Sequence, residues 1–213
     1  GTSRRSSGSN ESIPLPVITE PVEQTTEDGS EYYEFLDLNS VEWARESIQS
    51  LLEMGVISKS EDKNFNPLRN ITREEFVKMI VAALDLHEED IKTTFFDVEE
   101  GQWYYSYIAI AEKNGIIMGN EAGKFGIGTN ITREDLSVIL YRVISSYGIS
   151  SKPSQEEFDD DDEIADYAKD AIYRLKEMKI LHGVGDNNFA PKAHVTRAIA
   201  AKAVFAMIKA VEI

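Results

Sequence analysis

Ile71-Thr72-Arg73-Glu74-Glu75 is the stretch from which the rest of the chain can be read. It returns as Ile131-Thr132-Arg133-Glu134-Asp135 and again as Val195-Thr196-Arg197-Ala198-Ile199. The arginines stand 60 and then 64 residues apart. An apolar-Thr-Arg step that leads each time into an apolar run predicts three copies of one unit. Thr72 reads as a helix N-cap, and Glu75 three residues on completes a capping box.

Working outward, the first unit opens with Phe35-Leu36-Asp37. A helix is expected over about Val41 to Met54, with Trp43, Ala44, Ile48, Leu51 and Leu52 on its apolar face. Gly55 can stop it, because glycine adopts the left-handed cap conformation without penalty. A polar loop, Ser58 to Asn64, closes at Phe65-Asn66-Pro67. Phe76, Val77, Ile80, Val81 and Leu84 then form the buried face of a second helix.

The second unit repeats this at an offset of 60, with Phe95, Asp97, Trp103, Gly115 and Phe125 in register. Its capping pair is Thr132 and Asp135. The third unit is degenerate. It opens at Phe158-Asp159 inside the acidic run Glu156 to Glu163, and Tyr167 replaces the tryptophan. Its first helix is expected from about Ile164 to Met178, with Ala168, Ala171, Ile172 and Leu175 inward. Lys179 replaces the capping glycine, and Ile199 removes the capping box. The last helix runs from about Arg197 towards Glu212, and its alanines favour helix. Each unit is therefore helix, loop, helix, and three packed together can share a core that one cannot build alone.

The bulk properties exclude several functions. A formal charge of −16 repels nucleic acid and anionic lipid. With no cysteine there are no disulfides, thiolate metal sites or cysteine nucleophiles. No stretch reaches the ~18 apolar residues of a membrane span. Residues 1–30 read as a tail broken by Pro14, Pro16 and Pro21, and Gly1 to Asn10 resembles a leader or expression remnant. The remaining ranges read as 31–90, 91–153 and 154–213, one repeat each.

These motifs, in register over about residues 31–213, resemble the S-layer homology domain, which occurs as three tandem copies in bacterial surface proteins. The resemblance implies an all-α fold of three helix-loop-helix repeats, arranged as a pseudo-threefold, three-pronged spindle. It implies an extracellular place at the bacterial cell wall or S-layer. It also implies non-covalent anchoring to secondary cell-wall polysaccharide, bearing pyruvylated N-acetylmannosamine, in grooves between repeats. Carried over residue by residue, the groove holds Arg73, Arg133 and Arg197. It also holds Trp43 and Trp103, with Tyr167 in the third place, and the loop glycines Gly119 and Gly183, with Lys59 at that position in repeat one. Lys59, Lys179 and the Ala198-Ile199 pair weigh against three equal sites. Glu74 and Glu134, where the family has alanine, bring negative charge near the groove.

The chemistry of such a site is coherent. A guanidinium fork matches a carboxylate, and a helix start offers free backbone N–H groups to an anion. An aromatic can cover a sugar face, and glycine lets backbone approach a ligand. Each residue also has a plainer role. The arginines could form salt bridges between repeats, and helical spacing puts Trp43 and Trp103 in the core. Asp37 and Asp97 read as loop organisers, and Asp159 to Asp162 read as a solvated face rather than a calcium loop. His182 could face the third groove, whereas His87 and His194 read as surface residues. No carboxylate pair, nucleophile or phosphate loop forms a catalytic pattern, and no cofactor is implied. The alternative to glycan anchoring is a degenerate scaffold that binds other surface-protein subunits.

Overall fold

The computed structural model describes residues 33–211. The chain divides into two compact units, one ending at Tyr33 and one running from Glu34 onward. The repeats lie in the second. The tail of residues 1–30 and the leader at Gly1 to Asn10 lie outside the described residues.

Each repeat contributes a short helix and then a second one. These are α1 (Arg45–Glu53) and α2 (Arg73–Ala83), α3 (Tyr105–Lys113) and α4 (Arg133–Ser146), α5 (Asp166–Glu177) and α6 (Arg197–Val211). The inward positions expected of α5, Ala168, Ala171, Ile172 and Leu175, are buried. Three residues in the left-handed region end the first helices. Gly55 and Gly115 hold φ of 75° and 68°, and Lys179 is forced to 59° in the third. For a side chain with a Cβ that conformation costs about 1 kcal/mol.

The expected helix over Val41 to Met54 begins differently. A 3-10 helix covers Leu38–Ala44, broken at Val41, whose φ of −135° and ψ of 42° turn it out of helical register. The break corrects the placement of the tryptophans. Trp43 and Trp103 are each 51% exposed and Tyr167 is 59% exposed. Helical spacing put the tryptophans in the core because it assumed an unbroken helix. In fact Trp43 lies in the 3-10 turn and Trp103 lies ahead of α3, so the period of 3.6 does not govern either side chain.

The repeats are interleaved. α2 packs on α3, α4 on α5, and α6 returns to pack on α1. The second helix of each repeat is thus covered by the first helix of the next, and repeat three closes onto repeat one. At the axis the three recurring steps bond in a ring. The N–H of Ile71 donates to Val195 O (2.9 Å), that of Val195 to Ile131 O (3.0 Å), and that of Ile131 to Ile71 O (3.2 Å). All three side chains are buried. Single-residue antiparallel bridges flank the ring at Asn70–Thr196, Thr72–Asn130 and Thr132–His194. The fold is all-α around this pseudo-threefold junction.

An aspartate organises each loop, as expected for Asp37 and Asp97. The Asp37 carboxylate accepts from the N–H groups of Phe65 (2.9 Å) and Asn66 (2.7 Å). Asp97 accepts from Phe125 and Gly126, both at 2.7 Å, and from Ile127 at 3.3 Å. In repeat three the clasp is Asp160, bonded to Phe189 (2.8 Å) and Ala190 (2.7 Å). This corrects the pairing of Phe158 with Asp159, since the spacing is Phe-x-Asp throughout. The acidic run is also more than a solvated face, because Asp161 holds Lys169 and the Tyr173 hydroxyl, both at 2.7 Å. The clasps stabilise a strained turn: Asn66, Gly126 and Ala190 all have φ between 57° and 97°.

Burial alone would raise the pKa of Asp97, but its backbone N–H donors outweigh that and hold it below the usual carboxylate range. A depressed folded-state pKa means stability that is present at neutral pH and lost as the pH falls through that value. Asp97→Asn is therefore expected to cost roughly 1 kcal/mol at neutral pH. The difference from wild type should shrink in acid, as followed by urea unfolding at several pH values. A pH-independent difference would sink the charge-based account.

Candidate functional site

The recurring arginines project from the start of one repeat's second helix into the loop of the next repeat. Arg73 Nε donates to Phe125 O (3.1 Å), Arg133 Nε to Phe189 O (2.8 Å), and Arg197 Nε to Phe65 O (2.8 Å). Each guanidinium also lies over that phenylalanine's ring, at 5.2, 4.7 and 4.6 Å from the centroid. Beneath it the ring meets the phenylalanine of the Phe-x-Asp motif, with centroid separations of 5.4 Å for Phe35–Phe65, 5.9 Å for Phe95–Phe125 and 5.3 Å for Phe158–Phe189. Arg133 is the most enclosed, 8% exposed, and its Nη2 also donates to His182 O at 2.8 Å. Burial lowers the pKa of Arg133 and Arg197, but from so high a start both stay charged.

The plainer role of the arginines, an ion pair between repeats, is also present. Arg73 Nη1 is 3.2 Å from Asp135, and Arg197 Nη1 is 4.0 Å from Glu75. The helix-start amides, expected to be free for an anion, are taken by the neighbouring repeat. The N–H groups of Arg73, Arg133 and Arg197 donate to Thr129 O, Ala193 O and Arg69 O at 2.9, 3.0 and 2.9 Å. Those of Glu134 and Ala198 donate to Pro191 O and Pro67 O. Glu74 and Glu134 do not charge the groove either. They are 6% and 4% exposed. Glu74 accepts from Gly128 N–H, and Glu134 from Ala165 N–H and Lys192 Nζ, so both staple the seam.

A composite groove opens beside the Arg197 clamp, and the repeat of the clamps places equivalent positions, the second and third grooves, at the other two seams. The first is a cleft of about 280 Å³ lined by Val56, Ile57 and Ser58, by Glu75, Lys78 and Met79 of α2, by Trp103 of repeat two and by Arg197 of repeat three. Lys78 Nζ sits 5.8 Å from the Trp103 ring and 5.7 Å from that of Tyr107. The third groove, between α6 and repeat one, repeats the pairing with Lys202 Nζ 5.2 Å from the Trp43 ring. By the repeat of the clamps, Arg133 takes at this seam the place that Arg197 has at the first. In the second groove, between α4 and α5, Val138 takes the place of the lysine. There Tyr167 donates its hydroxyl to Asp135 at 2.9 Å. Burial first, and then the Asp135 charge, push the Tyr167 phenol well above its usual pKa.

Of the expected site residues, the structure thus brings together one arginine and one aromatic per groove, each from a different repeat. The glycines play another part. A Cβ on Gly119 would lie 2.5 Å from the Phe95 ring, and one on Gly183 would lie 2.6 Å from Asn188 O. They admit the Phe-x-Asp ring and close the loop, whatever else they face. Lys59 stands exposed at the same position in repeat one. Lys78 and Lys202 were missed by sequence reasoning. The signal was there, a lysine five residues after each of Arg73 and Arg197, but an exposed helical lysine is ordinary until its aromatic partner from another repeat is seen.

The profile of the S-layer homology domain matches residues 34–77, 94–137 and 157–201. The chain is 32% identical over 169 residues to the surface-layer 125 kDa protein of Lysinibacillus sphaericus, covering 76% of this chain and 14% of that one. It is 32% identical over 172 residues to the S-layer protein sap of Bacillus anthracis, covering 79% and 20%. It is also 32% identical over 170 residues to the exoglucanase XynX of Acetivibrio thermocellus, covering 78% and 16%. The matched region therefore spans a fifth or less of each of these relatives.

Proposed function

The chain belongs to the S-layer homology domain family, and from that premise we propose that it holds a larger surface protein to the wall by gripping a pyruvylated sugar in its inter-repeat grooves. The family is non-catalytic, sits at the bacterial cell surface and anchors proteins to cell-wall polysaccharide. The observation that carries the finer reading is the first groove, where Lys78, Trp103 and Arg197 converge from three repeats on one cleft.

The chemistry suits an acidic sugar. Lys78 and the outward edge of Arg197 offer charge-assisted donors to the pyruvyl carboxylate. The Trp103 face covers the apolar side of the ring. Because the cations stand in a cleft of an otherwise acidic molecule, a polyanion is repelled while a single carboxylate on a neutral sugar is admitted. What the module anchors remains the business of the larger protein, and a surface enzyme or an S-layer subunit are the occupants its relatives suggest.

The test is retention on purified, pyruvylated wall polysaccharide by protein carrying Trp43→Ala and Trp103→Ala together. Both side chains are half exposed, so the melting temperature should hold within the effect of a surface change, about 0.5 kcal/mol. Retention is expected to fall about tenfold or more, equivalent to ~1.4 kcal/mol. Equal wild-type binding after the pyruvyl groups are removed would count against carboxylate recognition.

A further inference from the structure

The second groove departs from the first at three places, although the residues come from different repeats. Val138 stands where Lys78 and Lys202 stand, Tyr167 where the tryptophans stand, and Asp135 where Glu75 stands. Glu75 turns back on its own repeat. It accepts from the Thr72 N–H at 3.0 Å and from Arg69 at 2.6 Å, which leaves it 4.0 Å from Arg197. Asp135 is one methylene shorter. Its own amide N–H donates to the Thr132 hydroxyl oxygen (3.3 Å), but its carboxylate reaches across the groove instead. One oxygen takes the Tyr167 hydroxyl at 2.9 Å and the other takes Arg73 Nη1 at 3.2 Å. Ile199, at the matching place in repeat three, has no charge at all.

We propose that Asp135 is a carboxylate built into the second groove in the place of a ligand's, so that the module takes its acidic sugar in the first and third grooves and not in the second. The inference rests on the glycan reading above. Arg73 gives its Nε to Phe125 O and its Nη1 to Asp135, and a second carboxylate brought beside Asp135 meets like charge. Glu134, buried behind, is satisfied by Ala165 N–H and Lys192 and does not compete. Arg142 stands on the same face of α4 and feels the charges of both Arg73 and Asp135. Without Asp135 the groove would hold two guanidinium groups and a phenol, a strong setting for an anion. The degenerate repeat is therefore not the weak one: its Ile199 puts no carboxylate at the place that Asp135 holds in the second groove.

The test titrates the whole module with the methyl glycoside of a pyruvylated N-acetylmannosamine, following backbone amides by NMR and stoichiometry by calorimetry. In the wild type, amides around Trp43 and Trp103 are expected to shift while those of Met118, Gly119 and Tyr167 stay. Asp135→Asn is expected to take up one further equivalent and to shift the Tyr167 set. Asp135→Glu restores the longer side chain that in repeat one turns back to its own cap, and is expected to open the groove with the fold intact. Shifts at Tyr167 in the wild type overturn the inference, as does the absence of a new site in both variants. No shift anywhere in any of the proteins overturns the glycan reading itself, which is a distinguishable failure.

Discussion

Deleting residues 154–213 is expected to abolish the cooperative fold of the remaining chain rather than leave two thirds of it. The helical neighbour of α1 is α6, so the deletion strips the cover from a helix that buries Ile48 and Leu51. Each such side chain contributes about 1.5–3 kcal/mol when fully buried. The same cut removes Val195, which links the Ile71 and Ile131 steps at the axis, and Arg197, which clamps Phe65. The cover over α4 goes as well, since its partner is α5. Together these losses are large against the about 5–15 kcal/mol that a domain of this kind has in total. Circular dichroism of the shortened chain should show no sharp thermal transition. A sharp transition with native helix content would mean that the repeats stack as an open row and that the closed ring is not required.

The second large effect is expected at Arg133. Arg133→Ala leaves Phe189 O and His182 O without their donor and uncovers the Phe189 ring. The Phe189 carbonyl is buried, and such an acceptor left unpaired costs about 1–3 kcal/mol, more when the donor was charged, while the His182 carbonyl is partly open to water. A loss of about 3 kcal/mol is expected from urea unfolding. Arg133→Lys should recover little of it, because an ammonium cannot serve both carbonyls and stack flat on the ring. Arg73→Ala should cost less, since its guanidinium is more exposed and one of its partners, Asp135, is open to water. Unchanged stability in Arg133→Ala together with lost wall retention would reverse this account and make the arginine a ligand group alone. The comparison also explains why arginine substitutions are poor probes of anchoring here. They remove the seam along with any contact to sugar, whereas the exposed tryptophans do not.

Much of this protein was legible from residue spacing. The apolar-Thr-Arg step, the Phe-x-Asp opening and the glycine after α1 and α3 report on local structure: a cap, a clasped loop and a helix stop. Local hydrogen bonds and backbone angles decide those, so the residues that make them lie close together or recur at a constant offset. The Trp43 and Trp103 placements failed for the same reason, since a periodicity rule holds only inside an unbroken helix and the chain enters α1 through a kink at Val41.

The sequence by itself determined three all-α units, their caps and the loop aspartates of the first two. Only the tertiary structure decided how the units share their parts. Arg197 meets Phe65 across 132 residues, and each groove draws its arginine, its helix and its aromatic from three different repeats. A repeat read alone therefore cannot say which groove is intact. Asp135, Tyr167 and Val138 look like scattered drift along the chain, yet ring closure gathers them into one groove. The physical reason is that a single helix-loop-helix unit cannot bury its own apolar faces. The neighbour that covers it is chosen by closure of the ring, and that choice leaves no mark on local periodicity.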